Sequence, residues 1–352
     1  MKHLKNLMLL SVTLLGLTLA SCQNVDNNKS KKPSETSVIP VADDEVSVFV
    51  LSGQSNMEGN SGISDLPQAF TDLGLDDYDD VKNGFPEVQI STYLGGYGGL
   101  DRNNLTNNRQ VYATNTENQI AGKFENMKPG FGTSSSKMGP EFGAAYALRE
   151  EASEDKPVFF IKMASNGSGF AQSGTDYNWP VKGDDGKFPE VNLYSTFAKP
   201  FIDNNLKLIE DMGFTPVMKG WLWHQGESDC DPNKIPLYAQ RLGDMVAQFR
   251  EDYADYAKDG DGDNIVFVDG MVYQGEGSSW TTPDKMNAEK QKFANSADNN
   301  FLVDIYANEE AIPANELKPG SPGGDSMHYN TKSCMRLGMA YGRIILENNL
   351  LD

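Results

Sequence analysis

The chain has 352 residues, of which 38% are hydrophobic, and it carries a formal net charge of -20 at pH 7. A chain of this length and composition can bury a substantial core, in one large domain or two small ones. Its strong negative charge excludes nucleic acid and other polyanions as expected partners, because like charges repel.

Residues 1–21 have the pattern of an export signal. Lys2 and Lys5 precede an apolar run, Leu7 to Leu19, that is too short for a typical membrane span. The stretch LASC, which ends at Cys22, resembles the lipobox of bacterial lipoproteins and implies cleavage before this residue and lipid attachment to it. The alternative is ordinary cleavage nearby, with the cysteine lost or free. We therefore expect an exported bacterial lipoprotein, anchored to a membrane on the periplasmic side or at the cell surface.

Residues 22–44 are polar and contain proline, which predicts a flexible tether before a domain spanning residues 45–352. In that domain apolar runs typical of strands alternate with segments of helical spacing. This order predicts a parallel sheet covered by helices on both faces, in three layers. The expected strands are 47–51, 158–163, 217–223, 265–268 and 301–303, and the expected helices are 140–151, 193–212, 236–256, 284–297 and 331–349.

Between residues 60 and 136 this alternation breaks down into a stretch rich in Gly, Asn, Thr and Tyr. Long irregular stretches are uncommon in compact domains and are often functional. We expect a long irregular insertion near the site, with an edge strand near Val88–Tyr93. Further along, Asp259–Asp263 resembles part of a calcium loop but lacks the later ligands, so a solvated turn is favoured and calcium binding stays open.

Polar residues follow three of the expected strands, at the edge where parallel sheets bind ligands. Ser55 comes four residues after the first strand, where a nucleophile or a helix cap fits equally well. Gly167 lies in NGSG, where its backbone can approach a ligand or simply form a turn. Gln225 and Glu227 lie in WHQGESD, which serves either a ligand or a polar cluster that satisfies itself.

A fourth segment contains Asp325 and His328, three residues apart. One helical turn places such a pair on one face, so that the carboxylate can hold one ring nitrogen while the other faces Ser55. That is the arrangement of orienting acid, base and nucleophile in a serine hydrolase. The alternative is a histidine near a helix start that pairs with a capping aspartate. The chain has three histidines; His3 leaves with the export signal, and His224 and His328 both fall within these segments.

The stretches GQSNM, WHQGESD and D-x-x-H-Y-N together resemble the carbohydrate-esterase branch of the SGNH hydrolase superfamily. That branch includes sialate O-acetylesterase-like proteins and acetyl xylan esterases. The resemblance extends in blocks from Val46 to Leu346. The second block departs from it, because relatives carry Gly-Gly-Thr or Gly-Gly-Ser where this chain has Asn166-Gly167-Ser168. The resemblance implies a three-layer α/β/α flavodoxin-like SGNH hydrolase fold with a central parallel sheet.

The same resemblance implies a catalytic triad of Ser55, His328 and Asp325. The serine would attack an ester carbonyl, the histidine would move the proton, and the aspartate would fix the histidine tautomer. The backbone N–H groups of Ser55 and Gly167, with the side chain of Gln225, would hold the oxyanion. Water would then release acetate from an acyl-enzyme, and no metal or organic cofactor is expected. The expected partner is an acetylated oligosaccharide or polysaccharide.

Asn56 and Glu227 are expected to support the site. Glu227 either braces the Gln225 loop or acts as an alternative acid near His328, and bracing is favoured. Trp179, in a loop beside a proline, is expected to stack on a sugar face.

Two further tryptophans, Trp221 and Trp223, are expected in the core because they lie within a strand-like run. Cys230 and Cys334 closely follow the third and fourth blocks, and either a disulfide or two buried thiols fits their positions.

Three functional classes stay open at this point. The leading one is a serine ester hydrolase that removes O-acetyl groups from glycans. The second is a short-chain lipid esterase or another carboxylic ester hydrolase on the same fold. The third is a non-catalytic glycan-binding surface lipoprotein, which the intact set of Ser, Asp, His and Gln argues against.

Overall fold

The computed structural model describes residues 44–94, 123–171, 177–274, 279–305 and 327–351. Residues 1–43 fall outside this part of the chain, and with them lie the expected export signal, the lipidation site Cys22 and nearly all of the tether. Asp325 also lies outside the described residues.

The described residues form strands and helices that are interspersed along the chain. The strands are β1 (Glu45–Gly53), β2 (Ser61–Gly62), β3 (Phe85–Leu94), β4 (Glu125–Met127), β5 (Lys137–Met138), β6 (Val158–Ala164), β7 (Phe170–Ala171), β8 (Trp179–Pro180), β9 (Thr215–His224), β10 (Val266–Gly270) and β11 (Asn300–Val303). The helices are α1 (Ser55–Glu58), α2 (Leu66–Asp72), α3 (Tyr78–Val81), α4 (Glu141–Leu148), α5 (Lys199–Asp211), α6 (Tyr238–Asp252), α7 (Pro283–Ala294) and α8 (Thr331–Glu347).

A seven-stranded sheet lies at the centre, with the strand order β11-β10-β9-β1-β6-β3-β4. Each neighbouring pair is parallel except β3 and β4, which are antiparallel. The sheet confirms the fold class predicted from the sequence. No helix among the described residues is long and apolar enough to cross a bilayer.

The alternation of side chains along β1 explains the three layers. Val48 and Val50 pack in the same cluster as the apolar faces of α5, α6 and α7. Phe49 and Leu51 pack in a second cluster with α2, α4 and α8. Because both faces are covered, the strand reads as a nearly continuous apolar run, as is typical of a buried parallel strand.

The five expected strands and the five expected helices are all present, with ends that differ by a few residues. The expected irregular insertion is partly wrong. Its described portions contain α2, α3 and the ten-residue strand β3. The expected edge strand is also misplaced, because β3 lies between β6 and β4 inside the sheet. The three-residue strand β4 that covers this edge is too short to show a period of its own.

The carboxyl ends of the central strands lie at one level. Gly53 at the end of β1 is paired with Ala164 of β6 and with His224 of β9. The backbone N–H of Gln54 donates to the His224 carbonyl at 3.0 Å, and that of Ser165 donates to the Gly53 carbonyl at 3.1 Å. A Cβ on Gly53 would lie 2.0 Å from the His224 carbonyl oxygen, so only glycine fits here. The connection from β6 to β9 passes across β1, which makes this edge the topological switch point.

A buried ion pair fastens the first helix to the sheet. The ammonium of Lys162 on β6 lies 2.7 Å from Glu141 Oε2 and donates to the carbonyls of Glu58 at 3.0 Å and Phe131 at 2.8 Å. Both charged side chains are almost fully buried. Since Glu58 closes α1, this pair holds the helix that begins at Ser55.

The two cysteines of the domain, Cys230 and Cys334, are buried free thiols, so the disulfide alternative is not realised. Burial raises the pKa of each thiol to about 12. The segment around Asp259–Asp263 forms short turns in which Asp261 Oδ1 accepts from the Asp263 N–H at 3.0 Å. Among the described residues, His, Cys, Asp and Glu form no group that could hold a metal ion.

Candidate active site

Ser55 is the first residue of α1, immediately after the turn that ends β1. The residue in the cap position is Gln54, so Ser55 does not cap this helix. As a first-turn residue, Ser55 has a backbone N–H with no acceptor inside the helix. The residue is buried, with 4% of its surface exposed, and it lies at the switch point of the sheet. A hydroxyl and an N–H without an intrahelical acceptor therefore occupy the same position at the carboxyl edge of the sheet.

Asn56, the next residue, connects this helix to the segment that carries His328. Its Oδ1 accepts from the Tyr329 N–H at 3.1 Å, and its Nδ2 approaches the Met327 carbonyl at 3.4 Å. These two backbone groups flank His328 on either side. Nδ2 also donates to Glu227 Oε1 at 2.7 Å. One amide side chain thus joins the first, third and fourth sequence blocks.

Further contacts fix the backbone around His328, which is itself half-buried. Ser61 Oγ donates to the Tyr329 carbonyl at 2.9 Å, and Tyr329 Oη donates to the Met271 carbonyl at 3.2 Å. Asn330 then caps α8 by accepting from the Ser333 N–H at 2.8 Å. The structure therefore brings the segment of His328 next to the start of α1. The role of Asp325 as its orienting acid stays a prediction.

Glu227 is almost fully buried in the loop that follows β9. Its Oε1 lies 2.7 Å from Asn56 Nδ2 and 3.4 Å from His224 Nε2. Burial by itself would raise the pKa of Glu227. The neighbouring imidazole of His224 and the hydrogen bond from Asn56 have the opposite and larger effect, so the pKa of Glu227 falls to about 2. Because Glu227 is ionised and accepts a hydrogen bond from Asn56, the bracing role is favoured over that of an alternative acid.

His224 is fully buried beside this carboxylate. Its ring contacts that of Tyr329 edge to face, with centroids 5.4 Å apart. Its other neighbour is the backbone of Gly270, where an added Cβ would lie 2.6 Å from Nδ1. His224 therefore packs behind the site, and its geometry suits support of Glu227.

Gly167, in the loop after β6, adopts a left-handed backbone with φ of 76° and is exposed. This conformation is one that glycine tolerates at no steric cost. A Cβ added here would lie 3.2 Å from Tyr177 Oη. The backbone at Gly167 is thus bare, which allows close approach of a ligand to its N–H.

Gln225 is fully buried, and its amide has a fixed orientation. Oε1 accepts from Tyr238 Oη at 3.0 Å. Nε2 donates to Asp229 Oδ2 at 2.8 Å and has longer contacts with Gln54 Oε1 at 3.2 Å and the Ser168 carbonyl at 3.3 Å. An amide nitrogen has two hydrogens, so one is held by the carboxylate and the other is shared by the two longer contacts. Holding an oxyanion requires this second hydrogen to be redirected.

Two residues of this cluster, Gln54 and Asp229, were not predicted from the sequence. Gln54 Oε1 accepts from the Ser228 N–H at 3.1 Å as well as from Gln225, so it joins the β1 turn to the β9 loop. Both residues lie inside motifs that resemble the esterase pattern, GQSNM and WHQGESD. Their motif positions were the available signal, but only the contacts reveal what they bind.

The expected sugar contact of Trp179 is wrong. Its side chain is fully buried, and its ring lies against Trp223 with centroids 4.7 Å apart. The indole N–H donates to Ser168 Oγ at 2.9 Å, so Trp179 supports the Gly167 loop from behind. Trp221 and Trp223 are buried in the core, as expected.

Comparison with known proteins places this geometry in a family. A profile of the family described as carbohydrate esterase, sialic acid-specific acetylesterase, matches residues 45–347. A search of curated proteins finds no match. Similar solved structures include a protein from Arabidopsis thaliana, with 15% identity, a TM-score of 0.53, and coverage of 86% of this chain and 98% of that one.

Two further solved structures share the fold. NanS is 14% identical, with a TM-score of 0.56 and coverage of 88% of this chain and 98% of that one. A carbohydrate acetylesterase from Xanthomonas citri is 16% identical, with a TM-score of 0.50 and coverage of 85% of this chain and 57% of that one. The structures agree in fold, and the profile spans nearly the whole domain. The chain belongs to the sialic acid-specific acetylesterase family of carbohydrate esterases.

Proposed function

We propose that this protein is a serine esterase that removes O-acetyl groups from carbohydrates through an acyl-enzyme. The observation that carries the proposal is the contact of Asn56 with both backbone groups that flank His328. Since Ser55 precedes Asn56 directly, this contact supports Ser55 as the nucleophile and His328 as the base of one site. Membership of a carbohydrate acetylesterase family supports the acetylated sugar as the substrate class.

In the proposed reaction Ser55 Oγ attacks the carbonyl carbon of the acetyl ester while His328 takes the hydroxyl proton. The carbonyl oxygen becomes an oxyanion held by the N–H groups of Ser55 and Gly167 and by the Gln225 amide. Each such donor contributes about 3–4 kcal/mol in the transition state. Asp325 is the proposed orienting acid of His328.

Collapse of the tetrahedral intermediate breaks the bond to the sugar oxygen, which receives the proton from His328. Acetyl remains on Ser55. Water then attacks the acyl carbon, with His328 again as the base, and acetate leaves with regeneration of the serine hydroxyl.

Ser55→Ala tests the nucleophile. Acetate release from acetylated xylan and from O-acetylated sialic acid should fall by at least about 10³-fold, because the remaining oxyanion donors supply only residual catalysis. Ser64→Ala is the matched control, since Ser64 is an exposed serine whose hydroxyl bonds to the neighbouring side chain of Asp65. Circular dichroism and thermal unfolding report whether both variants fold. Undiminished acetate release by Ser55→Ala contradicts the proposal.

A substrate panel separates the proposed activity from the two alternatives. Acetylated polysaccharides and acetylated sialic acid should be turned over with higher kcat/KM than short-chain glycerol or aryl esters. Preference for the glycerol esters favours a lipid esterase. Binding of deacetylated glycan without any ester hydrolysis indicates a surface glycan-binding lipoprotein.

We also propose that the domain is held at a membrane by lipid on Cys22, through the tether of residues 22–44. The LASC stretch supports this proposal. Cys22→Ser should move the exported protein from the membrane fraction to the soluble fraction. Equal membrane association of both forms contradicts lipid anchoring.

A further inference from the structure

We propose that Asp229 is the positioning residue of the oxyanion hole, where its buried carboxylate sets the orientation of the Gln225 amide relative to the Gly167 loop. This inference rests on the proposed function. Asp229 lies in a short turn after β9 and is 1% exposed.

A single atom of Asp229 joins the two loops. Its Oδ2 accepts from the Phe170 N–H at 3.0 Å and from Gln225 Nε2 at 2.8 Å. Phe170 begins β7, three residues after Gly167. Because both donors bind one oxygen, the spacing between the two loops is fixed by that atom. Hydrogen bonds to a charged acceptor are the strong ones, so these contacts resist exchange.

The backbone of the Gly167 loop packs directly on this carboxylate. A Cβ on Gly169 would lie 2.8 Å from Asp229 Oδ2 and 3.2 Å from Oδ1. Lys234 Nζ lies 3.7 Å from Oδ1 on the other side and partly compensates the charge. Burial raises the pKa of Asp229, while the bonds from Phe170 and Gln225 oppose that rise. Burying this carboxylate therefore costs free energy, and a neutral side chain would pack more easily in the same position.

The role follows from what the Gln225 amide loses without this anchor. Tyr238 holds Oε1, but Nε2 would keep only its two longer contacts, to Gln54 and Ser168. Each hydrogen of Nε2 can then bond to one of these two acceptors, so the amide loses the short contact that fixes its orientation and no longer has a positioned donor for the oxyanion. The substrate in its ground state has no oxyanion, so the loss should appear in kcat and hardly in KM.

Three variants test the inference against acetylated sugar. Asp229→Ala should lower kcat about 10- to 100-fold, less than complete removal of a donor, with KM changed by less than about threefold. Asp229→Asn should recover most of that loss, because its carbonyl oxygen can accept both hydrogen bonds. Gly169→Ala should reproduce the loss from the opposite side, since its new methyl group displaces the carboxylate. Asp211→Asn is the matched surface control, because Asp211 forms an exposed ion pair with Lys207.

The double variant Gly169→Ala/Asp229→Ala decides whether both changes act through one contact. Its kcat should be no lower than that of Asp229→Ala alone, since the contact is already lost. Reaction of Ser55 with an aryl phosphonate, which forms a charged tetrahedral adduct, should slow in proportion to kcat. Equilibrium unfolding of each variant shows whether the folded state persists.

Three results overturn the inference. These are a kcat for Asp229→Ala within threefold of the parent, losses in the double variant that multiply, and no recovery in Asp229→Asn. If Asp229→Ala does not fold, Asp229→Asn and Gly169→Ala still give the test. If Ser55→Ala leaves activity intact, the proposed function fails instead, whatever the Asp229 variants do.

Discussion

Glu227 offers a test of the site that needs no substrate. In Glu227→Gln the side chain keeps its shape but loses its charge, so the hydrogen bond from Asn56 and the approach of His224 lose their electrostatic component. The pKa of this carboxyl falls from the ordinary 4.5 to about 2 in the folded protein. A difference of 2.5 pKa units corresponds to about 3 kcal/mol of folding stability.

The sign of the pH dependence follows from the depressed pKa. A carboxyl whose pKa is lower in the folded state stabilises the fold above its unfolded pKa and loses that contribution as the pH falls. The contribution is complete at pH 7, about 1 kcal/mol is lost by pH 4, and about 2 kcal/mol is lost by pH 3. The stability advantage of the parent over Glu227→Gln should therefore shrink along the same course.

Urea unfolding at pH 7, 5, 4 and 3, followed by tryptophan fluorescence, measures this advantage directly. The other carboxylates titrate in both proteins and cancel, so the difference between the two proteins reports Glu227 together with its interaction with His224. Glu150→Gln is the control, because its side chain is 78% exposed and its stability should track the parent at every pH. A difference between parent and Glu227→Gln that is constant from pH 7 to pH 3 would refute the assignment of a depressed pKa.

Three further predictions follow from buried contacts. Asn56→Ala frees the backbone on both sides of His328 and should lower kcat about 10²-fold in acetate-release assays, the loss expected from a misplacement of about 1 Å. An unchanged kcat would contradict the role of Asn56 in positioning His328. Lys162→Met leaves Glu141 buried without its cation and should destabilise the protein by about 3–5 kcal/mol in urea unfolding, whereas a loss below 1 kcal/mol would show that the pair is dispensable. Cys230 and Cys334 are buried and unbonded. In a Cys22→Ser variant, thiol titration should therefore detect no reactive thiol in the native protein and two after unfolding without reductant. No reactive thiol after unfolding would indicate a disulfide.

Much of the fold could be predicted from the sequence because it rests on local pattern. The run Val46 to Leu51 is apolar on both faces of the strand except at Ser47, so it predicted a strand buried on both sides. Amphipathic spacing predicted α6, α7 and α8 in the same way. The short strand β4 carries too few residues for any period, which is why β3 was expected at an edge.

The candidate site could likewise be predicted only in part from the sequence. Polar residues just beyond strand ends pointed to Ser55 and Gln225, and a glycine whose backbone can approach a ligand closely pointed to Gly167. Trp179 shows the limit: a tryptophan beside a proline in a loop has the pattern of an exposed ring, and only its packing on Trp223 shows that it is buried.

The chemistry that the sequence by itself determined is therefore a set of residue types and the edge of the sheet where they meet. What only the tertiary structure decided is how they touch. Asn56 bonds to groups 171 and 273 positions away, and Asp229 to one 59 positions away. Local pattern is limited to a few residues along the chain, whereas such contacts depend on the stacking of parallel strands, whose shared edge exists only once the sheet has formed.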